Sequence, residues 1–302
     1  MYHHISRIPL DYSEGATIFV FGDLQWGAEG FVSEAWQEFR NKFKSTKNAW
    51  ALGLGDYNDF VRTKVRGQLK TIISQDDSIR AQMDDQVRHT QDKLLNEMSF
   101  LEGKTIGIHE GHHTWEFADR SKSDQRIASA LRAPFLGWVA STRLILELKR
   151  NKEHKGGDGY IYTIVSTHGN ANARRTAGMT GWMENNLVTG FWADQYIMGH
   201  SCKSAAWIPN ARKAVRRIGP AGLDETIPRC LQVGGFHQGY TDGWESNYVQ
   251  RNGFTPQALG WGVIHFSRCE TIAETKAKGL SRGTHTLRVT QYSQVWEPPK
   301  KD

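Results

Sequence analysis

Asp23, Asp56, His112, His113, His168 and His200 each stand at or just after the end of a short apolar, β-prone run. Carboxylate oxygens and imidazole nitrogens are donors that divalent first-row metals accept. A carboxylate shared between two such ions can hold them about 3.5–4 Å apart. Taken singly, an Asp after a strand is ordinarily a turn or cap residue, and a lone His a hydrogen-bonded one. As a series at five successive strand ends they point to one metal site, because ligands of open α/β sheets collect at the carboxyl ends of strands.

The elements that must position these residues follow from periodicity. ATIFVF (Ala16 to Phe21) reads as a buried strand stopped by Gly22 and Asp23, and SEAWQEFRNKFK from Ser33 sets Trp36, Phe39 and Phe43 at helical spacing. NAWALGLGD gives a second strand ending at Gly55 and Asp56; KTIGI (Lys104 to Ile108) gives a third, running into His109-Glu110-Gly111-His112-His113. Between them, Thr63 to Gly103 is polar and proline-free with apolar residues at helical intervals, which predicts a helical insertion that covers the sheet or caps the site. SDQRIASALRAPFLGWV is helical until Pro134 interferes. YIYTIVS then leads to Thr167-His168-Gly169, and QYIMG to His200. From about residue 228 the runs LQVGGF, GWGVIHFSR and THTLRVTQYSQVW predict a β-rich part forming a second sheet packed on the first. No linker or internal repeat separates the parts, so residues 1–302 read as a single α/β domain.

The order of these endings resembles the calcineurin-like metallophosphoesterases, whose blocks are Gly-Asp-x-His, Gly-Asp-x-x-Asp, Gly-Asn-His, a single-His block and Gly-His-x-His. Here they stand as Gly22-Asp23-Leu24-Gln25, Gly55-Asp56-Tyr57-Asn58-Asp59, Gly111-His112-His113, His168-Gly169 and Gly199-His200-Ser201-Cys202, over about Ala16 to Cys202. The resemblance implies an α/β/β/α sandwich of two packed mixed β-sheets flanked by helices. It implies two divalent metal ions, manganese first and iron or zinc as alternatives. Asp23 would bind the first ion and Asp56 would bridge both. His112, His168 and His200 would complete the second, and His113 would be the catalytic histidine, oriented by Asp59. The departures fall on one side: Gln25 and Cys202 replace the two histidines of the first metal, whereas His112 replaces the usual Asn. Amide oxygen and thiolate are both metal donors, so the first site is expected to be weaker, differently metallated or empty. Cys202 reads equally well as a small buried residue.

Composition narrows the partners. Hydrophobic residues make up 38% and charged residues 23%, enough apolar surface for a core without disulfides, and the three cysteines (Cys202, Cys230, Cys269) show no paired spacing. No run approaches the roughly 18 apolar residues of a membrane span and the N-terminal segment lacks the order of a signal peptide, so the expected place is the cytoplasm, with no membrane contact. The net charge of +6, with Arg174, Arg175, Arg212, Lys213, Arg216 and Arg217, favours a phosphodiester substrate in DNA, RNA or a nucleotide, unless these charges are solvated helix faces. Trp26 and Trp115 lie beside the motif blocks and are candidates to stack on bases, against the commoner fate of core packing. Phe60 stands where the protein-phosphatase branch has Arg, which disfavours that branch. The expected activity is thus nuclease-like phosphodiesterase, with Arg174, Arg175 and Trp115 as substrate contacts. A phosphomonoesterase, or a degenerate relative that binds nucleic acid or a protein without hydrolysis, stays open.

Overall fold

The computed structural model describes residues 1–11, 13–60, 77–148, 159–169, 176–201, 203–209, 214–218, 222–240, 258–270 and 285–298. Strands come first in it: β1 (Tyr2–Leu10) and β2 (Ala16–Phe21). Every residue of β2 is buried, with Ala16, Ile18 and Val20 on one face and Phe19 and Phe21 on the other. A strand covered on both faces needs a layer on each side, and the chain supplies them.

On the Phe19/Phe21 side lie α1 (Ser33–Ser45) with Trp36, Phe39 and Phe43, and the end of α2 (Asp77–Met98) with Leu94 and Met98. The short α3 (Ser123–Ala130) adds Ile127 and Ala128. On the other side β2 faces a second sheet. The first sheet has the order β14-β13-β2-β3-β4-β5, where β3 is Ala49–Gly53, β4 Thr105–His109, β5 Phe135–Gly137, β13 Gly260–Glu270 and β14 His285–Val295. The second runs β1-β6-β7-β8-β12-β9, where β6 is Val139–Leu148, β7 Gly159–Thr167, β8 Gln195–Met198, β9 Ala205–Trp207 and β12 Arg229–Gln232. Ile8, Leu10, Leu52, Leu54, Leu144 and Ile197 are part of the apolar layer between the sheets. The helix α4 (Thr176–Met183), with Met179 and Met183, covers the outer face of the second sheet at Val165, Tyr196 and Met198. Among the described residues the result is an α/β sandwich of two mixed six-stranded sheets flanked by helices, as the motif resemblance implied.

Three sequence expectations change. The C-terminal strands do not form a sheet of their own: β12 pairs parallel with β8, whereas β13 pairs antiparallel with β2. Both are buried on two faces, which suits the middle of a sheet. The helix begun at Ser123 ends at Ala130, ahead of Pro134, because Arg132 takes a left-handed conformation (φ 53°) and the chain from Phe135 pairs with β4. Arg216 and Arg217 lie on a two-stranded ribbon, β10 (Ala214–Ile218) with β11 (Gly222–Thr226), not on a helix. The insertion between the second and third motif blocks is helical from Asp77. Its last turns pack on the sheet, while Met83 and Val87 pack with Phe60, Trp115 and Phe117 beside the motif loops.

Candidate metal centre

β2, β3 and β4 are mutually parallel, as are β7 and β8, and the carboxyl ends of both sets meet at one end of the sandwich. The loops leaving them are fixed by hydrogen bonds across the sheets. His168 Nδ1 lies 2.7 Å from the Leu54 carbonyl, and the His200 amide donates to Asp23 Oδ2 at 2.8 Å. Within the first sheet, the His113 amide donates to Asp56 Oδ1 at 2.9 Å and the Gly111 amide to Asp124 Oδ2 at 2.8 Å. Asp23, Gln25, Asp56 and His200 all have positive φ, between 46° and 64°, a conformation that costs non-glycine residues energy and recurs at functional sites. Glycines make the close approach feasible. A Cβ on Gly111 would sit 2.1 Å from the Asp56 amide nitrogen, and one on Gly55 (φ 104°) 2.8 Å from Gly111 Cα.

These loops gather Asp56, His112, His168 and His200, whose ligand atoms all lie within 4.8 Å of one another. The imidazole rings of His112 and His200 are 4.2 Å apart, and His168 lies 4.8 Å from the first and 5.0 Å from the second. Three imidazoles and a carboxylate are a donor set suited to Zn, Mn or Fe. Two further observations fit a metal. Among the described residues the buried Nδ1 of His200 has no hydrogen-bond partner, and the buried Nε2 of His168 is paired with Asp56 Oδ2 at 3.3 Å, within the cluster itself. With His168 Nδ1 committed to a carbonyl, its Nε2 is the nitrogen left to ligate, as in metal-bound histidines whose other ring nitrogen donates to a backbone carbonyl.

Electrostatics within the protein agree. Burial disfavours charge on Asp56, but the charge and hydrogen bond of His168, helped by His113, outweigh it and hold the carboxyl well below its ordinary range. Burial likewise works against His168, yet Asp56 and Asp23 lift it to about 9. His200 is pushed down to about 3, by burial first and then by His168 and His112. Asp23 is pushed up to about 7, chiefly by burial and also by Asp56. The cluster therefore holds an ionised carboxylate and a neutral imidazole lone pair in a buried space.

At its edge stands His113, whose Nδ1 lies 3.0 Å from both Asp59 Oδ1 and the Phe60 carbonyl. Burial opposes charge on this ring, but the hydrogen bond to Asp59 and the charges of Asp56 and Asp59 raise its pKa. Asp23, 1% exposed, sits beside the four-residue group without being one of its members. Gln25 is half-buried and is held through its backbone amide to the Asp56 carbonyl at 2.9 Å. Cys202, Arg174 and Arg175 lie outside the described residues.

Trp115 is corrected. It is 7% exposed, packs with Val87 and Phe117, and donates its indole N–H to Asp84 at 2.7 Å, so its ring is core and offers no face to a base. Trp26 is partly buried against the helix-side core. Several contributors escaped the sequence reading. Asp124, in the first turn of α3, is pushed up to about 7 by burial and anchors the Gly111 amide. Glu110 is clamped by Lys122 at 2.7 and 2.8 Å. His109 bolts the sheets together, its Nε2 2.7 Å from Ser166 Oγ and its Nδ1 2.9 Å from the Gly137 carbonyl, and burial pushes its pKa down to about 4. The chain spacing His109-x-x-His112-His113 hinted at a shared loop, but nothing in it marked Asp124 or Lys122.

No family model and no curated protein matches the sequence. Solved structures with a similar chain path include vacuolar protein sorting 29 from Cryptosporidium parvum, at 11% identity over 93% of this chain and 100% of that one, with a TM-score of 0.36. The calcineurin-like phosphoesterase YfkN from Bacillus subtilis is similar at 12% identity over 92% and 90%, with a TM-score of 0.37. A predicted phosphoesterase from Streptococcus pneumoniae is similar at 11% identity over 92% and 98%, with a TM-score of 0.33. At these scores the fold and the chemistry rest on the strand order and side chains of this chain itself.

Proposed function

We propose that this protein is a metal-dependent phosphoesterase that hydrolyses phosphodiester bonds in a nucleic acid or nucleotide. The observation that carries the reading is the convergence of Asp56, His112, His168 and His200, with the His113–Asp59 pair at the edge of the same cluster. A divalent ion, manganese for preference, bound there would supply a water of lowered pKa and positive charge for the phosphoryl oxygens. Asp23 and Gln25 are the described residues that would serve a second ion.

The chain's own residues do the rest. His113 shares its Nδ1 with Asp59 and the Phe60 carbonyl, which fixes the ring and leaves Nε2 for the substrate. Asp59 and Asp56 favour the protonated form of that ring, which suits it to donate a proton from Nε2 to a nonbridging oxygen or to the leaving alkoxide. Asp56 ties the His113 amide to the cluster, so the acid and the ligands move as one body. The net charge of +6 supports a polyanionic ester.

Hydrolysis of bis-p-nitrophenyl phosphate by the manganese-loaded protein tests this. Turnover should fall at least about 100-fold in His113→Ala, the scale of a lost general acid, with metal content unchanged. A metal-loaded protein with no turnover of this ester, or of p-nitrophenyl phosphate, contradicts the enzyme reading and leaves a binding protein.

A further inference from the structure

Among the described residues, every tryptophan except Trp138 and Trp192 is built into one of the four apolar clusters. Trp192 is 67% exposed and precedes β8, at the end of the sandwich away from the cluster. Trp138 lies on the link between β5 and β6 and is partly exposed. Its ring neighbours are the imidazoles of His112, at 4.6 Å and 87°, and of His168, at 5.5 Å and 75°.

Backbone hydrogen bonds hold it there in place of core packing. The Gly137 carbonyl before it is 2.9 Å from His109 Nδ1 and accepts the Glu110 amide at 3.0 Å, while its own carbonyl accepts the Thr167 hydroxyl at 2.9 Å. Gly137 takes a φ of 64°, which turns the chain so that Trp138 stands between the two strands at the cluster. A tryptophan is a large apolar surface with a π-face, and beside a polar, phosphate-binding centre a flat heteroaromatic ring is the group that covers it well.

We propose that Trp138 is a specificity-determining residue: it forms a stacking platform for the nucleobase of a nucleotide ester whose phosphate lies at the Asp56–His112–His168–His200 cluster. This rests on the proposed function and names the substrate feature that the site reads.

The test is calorimetric binding to the manganese-loaded full chain, with inorganic phosphate, ribose 5-phosphate and adenosine 5′-monophosphate as probes. Adenosine monophosphate should bind about 5- to 150-fold more tightly than ribose 5-phosphate, the ratio set by a stacking contribution of about 1–3 kcal/mol. Trp138→Phe should keep most of that ratio and Trp138→Leu should abolish it, with manganese affinity and ribose 5-phosphate affinity unchanged in both. If Trp138 merely props the imidazoles, those two affinities move instead, and the inference is overturned. Equal binding of ribose 5-phosphate and adenosine 5′-monophosphate by the native chain, or a ratio that survives in Trp138→Leu, overturns it as well. Should the Leu variant fail to fold, the native ratio together with Trp138→Phe decides. A manganese-loaded chain that binds none of the three probes removes the proposed function, and this inference with it.

Discussion

Gly111→Ala is the smallest change that should dismantle the centre. The added Cβ would stand 2.1 Å from the Asp56 amide nitrogen, 2.2 Å from Asp56 Oδ1 and 2.9 Å from Asp56 Cα. Two of these three atoms are backbone, so no side-chain rotation relieves the clash, and the loops after β3 and β4 must part by about 1 Å to reach ordinary contact. That movement breaks the His113 amide to Asp56 bond and strains the Gly111 amide to Asp124 bond, now 2.9 and 2.8 Å. Hydrogen bonds to charged groups contribute about 1.5–3 kcal/mol each, so a loss of about 3 kcal/mol in urea unfolding is expected. A displacement of about 1 Å at reacting groups costs on the order of 100-fold in rate, and manganese affinity should weaken with it. A Gly111→Ala protein within about 0.5 kcal/mol of the parent, with unchanged manganese affinity, would refute the placement of these loops.

Metal-free protein should lose stability as pH rises from about 6.5 to 9. His168 is lifted from 6.5 to about 9, so the stability it confers is fully present below 6.5 and is lost as pH climbs through 9; Asp23 and Asp124, lifted from 3.8 to about 7, act in the same direction but over the lower window from 3.8 to 7. A urea midpoint in EDTA that rises across this window would contradict those environments. His109→Leu removes the bolt to Ser166 and should cost about 1–3 kcal/mol, read by denaturant unfolding; a neutral effect would mean the sheets are not joined there. Manganese at 100 times its dissociation constant should stabilise the chain by about 2.7 kcal/mol and release at least one proton at pH 7, from His168, in calorimetry across buffers of different ionisation enthalpy. No proton release would place the metal elsewhere.

Much of the site was legible because its residues sit at strand ends, and strands announce themselves by apolar runs. β2 shows all six residues buried, so the end at Asp23 was plain; β4 and β8 are buried throughout, and β3 and β7 are buried over the residues that lead into Asp56 and His168. What stayed hidden was long-range. β1 buries only Ile8 and Leu10, and β6 carries the buried Thr142 within its alternation, so neither stood out as a strand. The division of β12 and β13 between two sheets depends on pairing partners more than 30 residues away, which periodicity does not encode. Trp115 and Trp138 show the same limit at the site: adjacency to His113 made the first look like a substrate contact, but α2 supplies Asp84 and buries it, while the turn at Gly137 brings the second to the cluster.

The most direct test of the metal centre is anomalous diffraction at the manganese edge from crystals of the manganese-loaded chain. The structure predicts a peak within ligating distance of Asp56, His112, His168 and His200, lost in Asp56→Ala. A manganese peak elsewhere, or none at this cluster in fully loaded native crystals, would contradict the account.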